Sequence, residues 1–256
     1  MFETPFASGN SVIHHISPPV RLLAALFGAI VLATLSLLPG KLAGLGISVG
    51  FLAASRPPLC PLLKRFCALW FFLLIFWITV PLSVSGNALW EAGPFIFSAE
   101  GVQLALGISL TSSAMLALFL ALAASMTPAA FGEALERLHV PGKLVFLFLF
   151  SCCQMHILAI EWSRLRDAAV IRGFVPSTSL HTYTTFGNLI GMTFLRSLDR
   201  AERIHEAMLL RGFDGHFYCL ARHPYYRWDI CFLIGACAVF AVLAAVDHCP
   251  WLFPFL

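Results

Sequence analysis

Long apolar runs separated by short polar segments constrain the fold of this chain more than any other feature. Five of them are evident, at about residues 22–38, 42–54, 67–84, 102–126 and 230–246. A helix needs about 20 mainly apolar residues to cross the hydrocarbon of a bilayer. With 59% hydrophobic and only 11% charged residues, the chain also lies outside the composition of soluble domains. We therefore predict an all-α integral membrane protein with about five transmembrane helices and a cytoplasmic domain of long helices.

Loop charges predict the orientation of these helices. Basic residues cluster in the polar segment 56–65, whereas the loop 85–101 carries two glutamates and no Lys or Arg. Because cytoplasmic loops are enriched in Lys and Arg, we expect a cytoplasmic N-terminus and a C-terminus outside. The predicted division of the chain is 1–126 for membrane helices 1 to 4, 127–229 for the cytoplasmic domain and 230–256 for the last membrane helix.

The segment 144–162 is ambiguous, because it is apolar enough to span the membrane. If it did span, the many arginines of 164–227 would be carried outside, against the charge bias. We predict instead a long helix on the cytoplasmic face, or packed on other helices, that continues to Gly173. A Pro, Ser and Thr loop then leads to a second long helix at about 186–211.

An eleven-residue pattern occurs twice in this predicted cytoplasmic domain, at 164–174 and at 203–213. Both copies have Arg first, an acid fourth, Ala fifth and Arg-Gly-Phe at the end. On a helix, Arg164, Ala168 and Arg172 lie on one face at i, i+4 and i+8, with the small alanine between two guanidinium groups. The second copy repeats this spacing, so the pattern predicts a surface that a soluble partner contacts twice.

Each copy taken alone fits a simpler interpretation. Glycine directly after a helix is the usual C-terminal cap, and an arginine in the last turn interacts favourably with the helix dipole. Two copies with the same acid, alanine and phenylalanine, at the ends of two long helices, favour a docking role in addition to capping.

These motifs resemble the transmembrane coupling (T) component of energy-coupling factor transporters, within the cobalt and nickel group of CbiQ-like proteins. Members of that family have two long coupling helices, each ending in an Ala-Arg-Gly motif. Here Ile171 and Leu210 replace the alanine, although Ala207-Met208 before Arg211-Gly212 matches the metal-type pattern Ala-Met-x-x-Arg-Gly. Segments 11–23, 127–128 and 138–141 extend the resemblance. It implies coupling residues Ala168, Arg172, Gly173, Ala207, Arg211 and Gly212.

The resemblance implies a bacterial inner-membrane importer with separate subunits. Two ATP-binding cassette subunits would hold ATP and Mg²⁺, dock on the two arginines and close on ATP. Their motion would pass to a membrane-embedded subunit that binds the substrate, with cobalt favoured and nickel or a vitamin as alternatives. This chain lacks the GxxxxGK[ST] loop that would bind the phosphates of ATP. No catalytic residue, metal ligand or cofactor of its own is therefore expected.

Other classes of function have weaker support in the sequence. No HExxH, paired-aspartate or Ser/His/Asp pattern suggests a membrane hydrolase or prenyltransferase. A histidine-ligated haem or metal protein remains an alternative, but only His156 lies well inside an apolar helix. The net charge of +3 without a polybasic run does not predict a nucleic-acid surface. Six cysteines without CxxC spacing are predicted to be small buried apolar residues: Cys60, Cys67, Cys152, Cys153, Cys231 and Cys237.

Overall fold

A computed structural model describes residues 16–84, 88–92, 95–213 and 227–248 of the chain. Residues 11–15, which belong to the segment 11–23 of the resemblance, lie outside this described part, as do the remaining segments. Helices dominate it, together with one antiparallel hairpin inside the predicted loop 85–101. In chain order the elements are α1 (Pro18–Thr34), α2 (Leu38–Ser55), α3 (Leu59–Ser83), β1 (Ala88–Ala92), β2 (Phe95–Ser98), α4 (Ala99–Leu122), α5 (Pro128–Arg137), α6 (Gly142–Ile171), α7 (Leu180–Leu210) and α8 (Arg227–His248).

The all-α membrane class is confirmed. Five helices of the described residues are long and apolar enough to cross a bilayer, namely α2, α3, α4, α6 and α8. The set differs from the expected one, since α6 qualifies by length and composition whereas α1 is apolar but only 17 residues long. The chain is thus a multi-pass membrane protein.

Prolines explain why two predicted helix boundaries are wrong. The sequence predicts a first helix that begins at Arg21 and a break at Pro39-Gly40. However, α1 begins at Pro18 and α2 at Leu38, each with proline in its first turn. Proline is tolerated there because its missing N–H has no intrahelical partner. The first turn of α5 follows the same rule, with Pro128 preceded by Thr127, whose hydroxyl accepts from the Ala130 amide at 3.2 Å.

The chain divides into two compact units, of which the first contains α1 to α4, the hairpin and α8. Its apolar core is formed mainly by α1, α4 and α8. Gly28 of α1 allows close packing, because a Cβ there would meet Leu118 and Phe240 at 2.8 Å. The small-xxx-small spacing of Gly46 and Gly50 in α2 predicts that another helix packs closely against them. Nothing in the described chain lies within 4 Å of either position.

Carboxylates of α8 hold both ends of α1. Asp229, at the start of α8, accepts from the backbone N–H of Ser17 at 3.1 Å and from its hydroxyl. Asp247, at the other end, accepts from the Ser36 N–H at 2.7 Å and the Leu37 N–H at 3.2 Å. Helices α1 and α8 are therefore parallel.

The C-terminal end of α4 lies beside the N-terminal ends of α1 and α8. Arg21, in the first turns of α1, donates to the hydroxyl of Ser125 just after α4, at 3.0 Å. Both side chains are almost fully buried, as is Asp229. The end of α4 and the start of α8 therefore lie on one and the same face of the first unit.

The predicted burial of the cysteines is wrong. All six described cysteines are free thiols, as expected, but four are exposed and Cys152 and Cys237 are half-buried within the chain. They lie on helices whose apolar surface is largely uncovered by this chain, as in α3 and α6. An apolar sequence context predicts burial from water, and in a membrane protein lipid or a partner supplies part of that burial.

The second unit contains α6 and α7. Both predicted long helices are confirmed, with 30 and 31 residues. Helix α7 begins six residues earlier than predicted, because Ser179 caps it. The Ser179 hydroxyl accepts from the Thr182 N–H at 3.4 Å, which satisfies one amide of the first turn. The predicted three-part division by membrane topology stays a prediction.

Candidate functional site

The first copy of the repeat ends α6 in a Schellman motif, the common helix ending that uses a left-handed residue. Gly173 has φ of +84°, and its N–H bonds to the Val170 carbonyl at 2.9 Å. The Phe174 N–H reaches back to the Ala169 carbonyl at 3.1 Å. These two bonds satisfy carbonyls that the helix end would otherwise leave unpaired. They also fix Arg172 as the last residue before the chain turns away.

The second copy ends α7 in the same way. Gly212 has φ of +78°, its N–H bonds to the Leu209 carbonyl at 3.0 Å, and the Phe213 N–H bonds to the Met208 carbonyl at 3.1 Å. Each distance agrees within 0.1 Å with its counterpart in the first copy. The sequence repeat is therefore a structural repeat.

Exposure agrees as closely as backbone geometry. Every one of the eleven positions falls in the same burial class in the two copies. The second, sixth and eleventh positions are half-buried, and the other eight are exposed. The six predicted site residues all belong to the exposed set, and they form two groups of three: Ala168, Arg172 and Gly173 on α6, and Ala207, Arg211 and Gly212 on α7.

Both terminal arginines are exposed. Within the described residues, neither Arg172 nor Arg211 has a side-chain hydrogen bond or ion pair. No atom of the described residues beyond the immediate chain neighbours lies within 4 Å of the position where a Cβ would stand on Gly173 or Gly212. Each arginine therefore offers five N–H donors beside an open backbone turn.

The two motifs lie at opposite ends of an antiparallel helix pair. Phe174, after α6, contacts Phe186 near the start of α7 with ring centroids 5.7 Å apart. Farther along, Phe150 of α6 and Ile204 of α7 line one small cavity. Since Phe186 precedes Arg211 by 25 residues, the rise of 1.5 Å per residue separates the two motifs by about 38 Å.

A charged cluster joins α6 and α7 where they cross, and sequence reasoning missed it. Glu161 accepts a hydrogen bond from Arg196, and its other oxygen lies 3.8 Å from Arg200 and 3.9 Å from Arg164. Its side chain is only 13% exposed, whereas those of the arginines are 35% to 74% exposed. The available signal was an acid directly after an apolar half-helix. This cluster links α6 to α7 at the crossing point, and Arg164 connects it to the first position of the first motif.

Comparison with known proteins identifies the family. Residues 9–219 match the model of CbiQ, described as cobalt transport protein. This match covers far more than half of the chain. The chain belongs to the CbiQ family. The resemblance noted from the repeat is thereby confirmed.

Two relatives of this CbiQ-family chain align over most of its length. Both are energy-coupling factor transporter transmembrane proteins named EcfT. The protein of Heliobacterium modesticaldum is 28% identical over 217 residues, covering 80% of this chain and 81% of the relative. That of Acidaminococcus fermentans is 24% identical over 221 residues, with 81% of each covered. The nickel permease LarQ of Lactiplantibacillus plantarum is 29% identical over 83 residues, or 32% of this chain and 30% of its own.

These comparisons make the chain a T component of an energy-coupling factor transporter, and they support a role as a transporter subunit. They leave the docking residues and the partners as predictions. Among the described residues, no three His, Cys, Asp or Glu side chains come together in a way that could hold a metal ion.

Proposed function

We propose that this CbiQ-family chain couples two ATP-binding subunits to a separate substrate-binding membrane subunit of a cobalt importer. One observation carries the proposal: the two motifs have the same helix ending and the same exposure at all eleven positions. Contact with a lipid surface or with a single partner would not require the two motifs to be alike. Contact with two similar grooves, one on each ATP-binding subunit, would.

The chemistry of the motif suits a contact that transmits motion from one subunit to another. Arginine is always charged, and its planar fork forms several charge-assisted hydrogen bonds to carboxylates and carbonyls. Since Arg172 and Arg211 are about 38 Å apart along the helix pair, each can be held by a different subunit. When the two subunits close on ATP, the far ends of α6 and α7 move with them, while the Glu161 cluster holds the crossing.

The connectivity of the first unit supports a cytoplasmic location for both motifs. Ser125, just after α4, and Asp229, at the start of α8, lie on one face of that unit. This connectivity favours an even number of membrane crossings between them, none or two, and so argues against α6 as a single additional span. Together with the basic loop 56–65, this favours a cytoplasmic N-terminus, cytoplasmic motifs and a C-terminus outside.

Cobalt is the proposed cargo because the family is described as cobalt transport protein. Nickel is the alternative that a relative's name favours, since LarQ is a nickel permease, and a vitamin is a further one. In each case the cargo would bind to the separate membrane subunit. ATP and Mg²⁺ would bind to the ATP-binding subunits.

Photo-crosslinking tests the docking directly. A photoreactive amino acid at Ala168 or Ala207 lies between two arginines on the proposed contact face, and both sites are exposed. Each should yield a covalent adduct with an ATP-binding subunit in membranes that contain the whole transporter. Gly187, exposed on α7 and outside the repeat, is the matched control. Adducts absent at Ala168 and Ala207, or equally strong at Gly187, would contradict the proposal.

A further inference from the structure

Ile171 and Leu210 are the most exposed large apolar side chains in the described part of the chain, at 86% and 89%. They occupy the same position in the two copies of the repeat, directly before the terminal arginine. Leaving such a side chain in water forgoes the free energy of burying it. Exposure of this degree at two equivalent positions indicates that a partner covers both.

The surroundings of these residues argue against lipid as that partner. Ile171 follows Ala168 by three positions and Arg164 by seven, so all three share one helix face. Leu210 shares its face with Ala207 and Arg203 in the same way. Each of these faces begins with an arginine and ends directly beside the terminal arginine of its motif. Such a face is unsuited to the hydrocarbon of a bilayer. It suits a protein groove that contacts charged and apolar groups side by side.

We propose that each ATP-binding subunit has an apolar pocket beside the site for the guanidinium, and that Ile171 and Leu210 fill these two pockets. This inference rests on the proposed function and deepens it. Each motif then contacts its subunit in two ways. The arginine orients the motif through directional hydrogen bonds, and the aliphatic residue adds affinity through its burial. Burying the aliphatic group also excludes water, which strengthens the neighbouring hydrogen bonds of Arg172 and Arg211.

The aliphatic residue also makes the contact selective. Both copies have a four-carbon aliphatic side chain at this position, isoleucine in the first and leucine in the second. A pocket shaped for four side-chain carbons leaves a cavity when alanine enters it, and such cavities reduce affinity beyond the lost apolar contact. We therefore expect the ATP-binding subunits of this transporter to prefer this chain over a T component with alanine before its arginines.

The test measures the affinity of the detergent-purified chain for its purified ATP-binding subunits, with Ile171→Ser, Leu210→Ser and Ile171→Ala. Each of these single changes should raise the dissociation constant about tenfold or more. The conservative change Ile171→Leu should keep most of the wild-type affinity. Leu180→Ser is the matched control, because Leu180 is 84% exposed on the same unit but lies outside the repeat. It should leave affinity within about twofold of wild type.

The outcomes separate this inference from the proposed function. If Arg172→Glu abolishes binding while Ile171→Ser and Leu210→Ser behave like Leu180→Ser, the pocket is refuted and the coupling role stands. If Arg172→Glu also binds like wild type, the coupling role itself fails. If the serine variants keep their affinity for the subunits but bind liposomes less well, lipid covers these residues and the pocket is refuted. Because both positions are exposed, circular dichroism should show unchanged helix content.

Discussion

Replacing Gly173 or Gly212 by alanine should loosen the last turn of the corresponding helix without disturbing the rest of the fold. Both glycines have φ near +80°, where a Cβ crowds the carbonyl oxygen and costs about 1–2 kcal/mol. Since nothing in the part of the chain that the structure describes lies within 4 Å of either Cβ position, no steric clash with it adds to this backbone strain. The predicted loss is therefore local, about 1–2 kcal/mol for each motif.

Amide hydrogen exchange at Phe174 and Phe213 measures this loss, because their N–H groups close the two motifs. A loss of that size accelerates exchange about 5- to 30-fold. Gly187→Ala, in the interior of α7 with open space around it, should not accelerate exchange, since alanine favours a helix interior by about 0.5–1 kcal/mol. Asparagine at Gly173 should be milder than alanine because it tolerates the left-handed region. Unchanged exchange in both alanine variants would refute the proposed helix endings.

Three further predictions concern packing, topology and cargo. Gly28→Ala should unfold more readily in detergent than Gly46→Ala, by about 1–3 kcal/mol, because only the first overpacks the core; equal melting temperatures would contradict this. In a cysteine-free background, Ser85→Cys and Ser177→Cys should be labelled by an impermeant reagent from opposite sides of the membrane, and labelling of both from outside would refute the topology. The isolated chain should retain no stoichiometric cobalt or nickel after dialysis, since no three metal-ligating side chains converge among the described residues; metal analysis showing one ion per chain would defeat this.

The sequence predicted the helices and the repeat because both follow from local rules. Apolar runs of membrane length indicate helices, and the glycine of the Arg-Gly-Phe ending predicts the C-terminal cap of each helix. This is why the motif geometry at Arg172 and Arg211 agrees with expectation in both copies. Helix starts were less well predicted where proline lies in a first turn, as at Pro39.

Contacts between distant segments were not predictable from one sequence. Asp229 and Ser17 are 212 positions apart, and Glu161 is 35 positions from Arg196. Neither pair has a local pattern that indicates its partner. The packing glycine of α2 was also misassigned, because the spacing of Gly46 and Gly50 identifies a helix face and not what covers it. Gly44, on the opposite face, is the one that packs against Leu32.

Charge reversal of the two arginines tests the central claim most directly. Metal uptake and co-purification of the ATP-binding subunits would be measured for Arg172→Glu, Arg211→Glu and the double variant at equal expression. A purely capping role is worth only about 0.3–1 kcal/mol at an exposed helix end, so it predicts nearly normal uptake. A two-point clamp loses its effective-concentration advantage with the first break. We therefore predict that either single change abolishes uptake and weakens co-purification, and that the second adds little. Wild-type uptake in either single variant would contradict the coupling role of that helix.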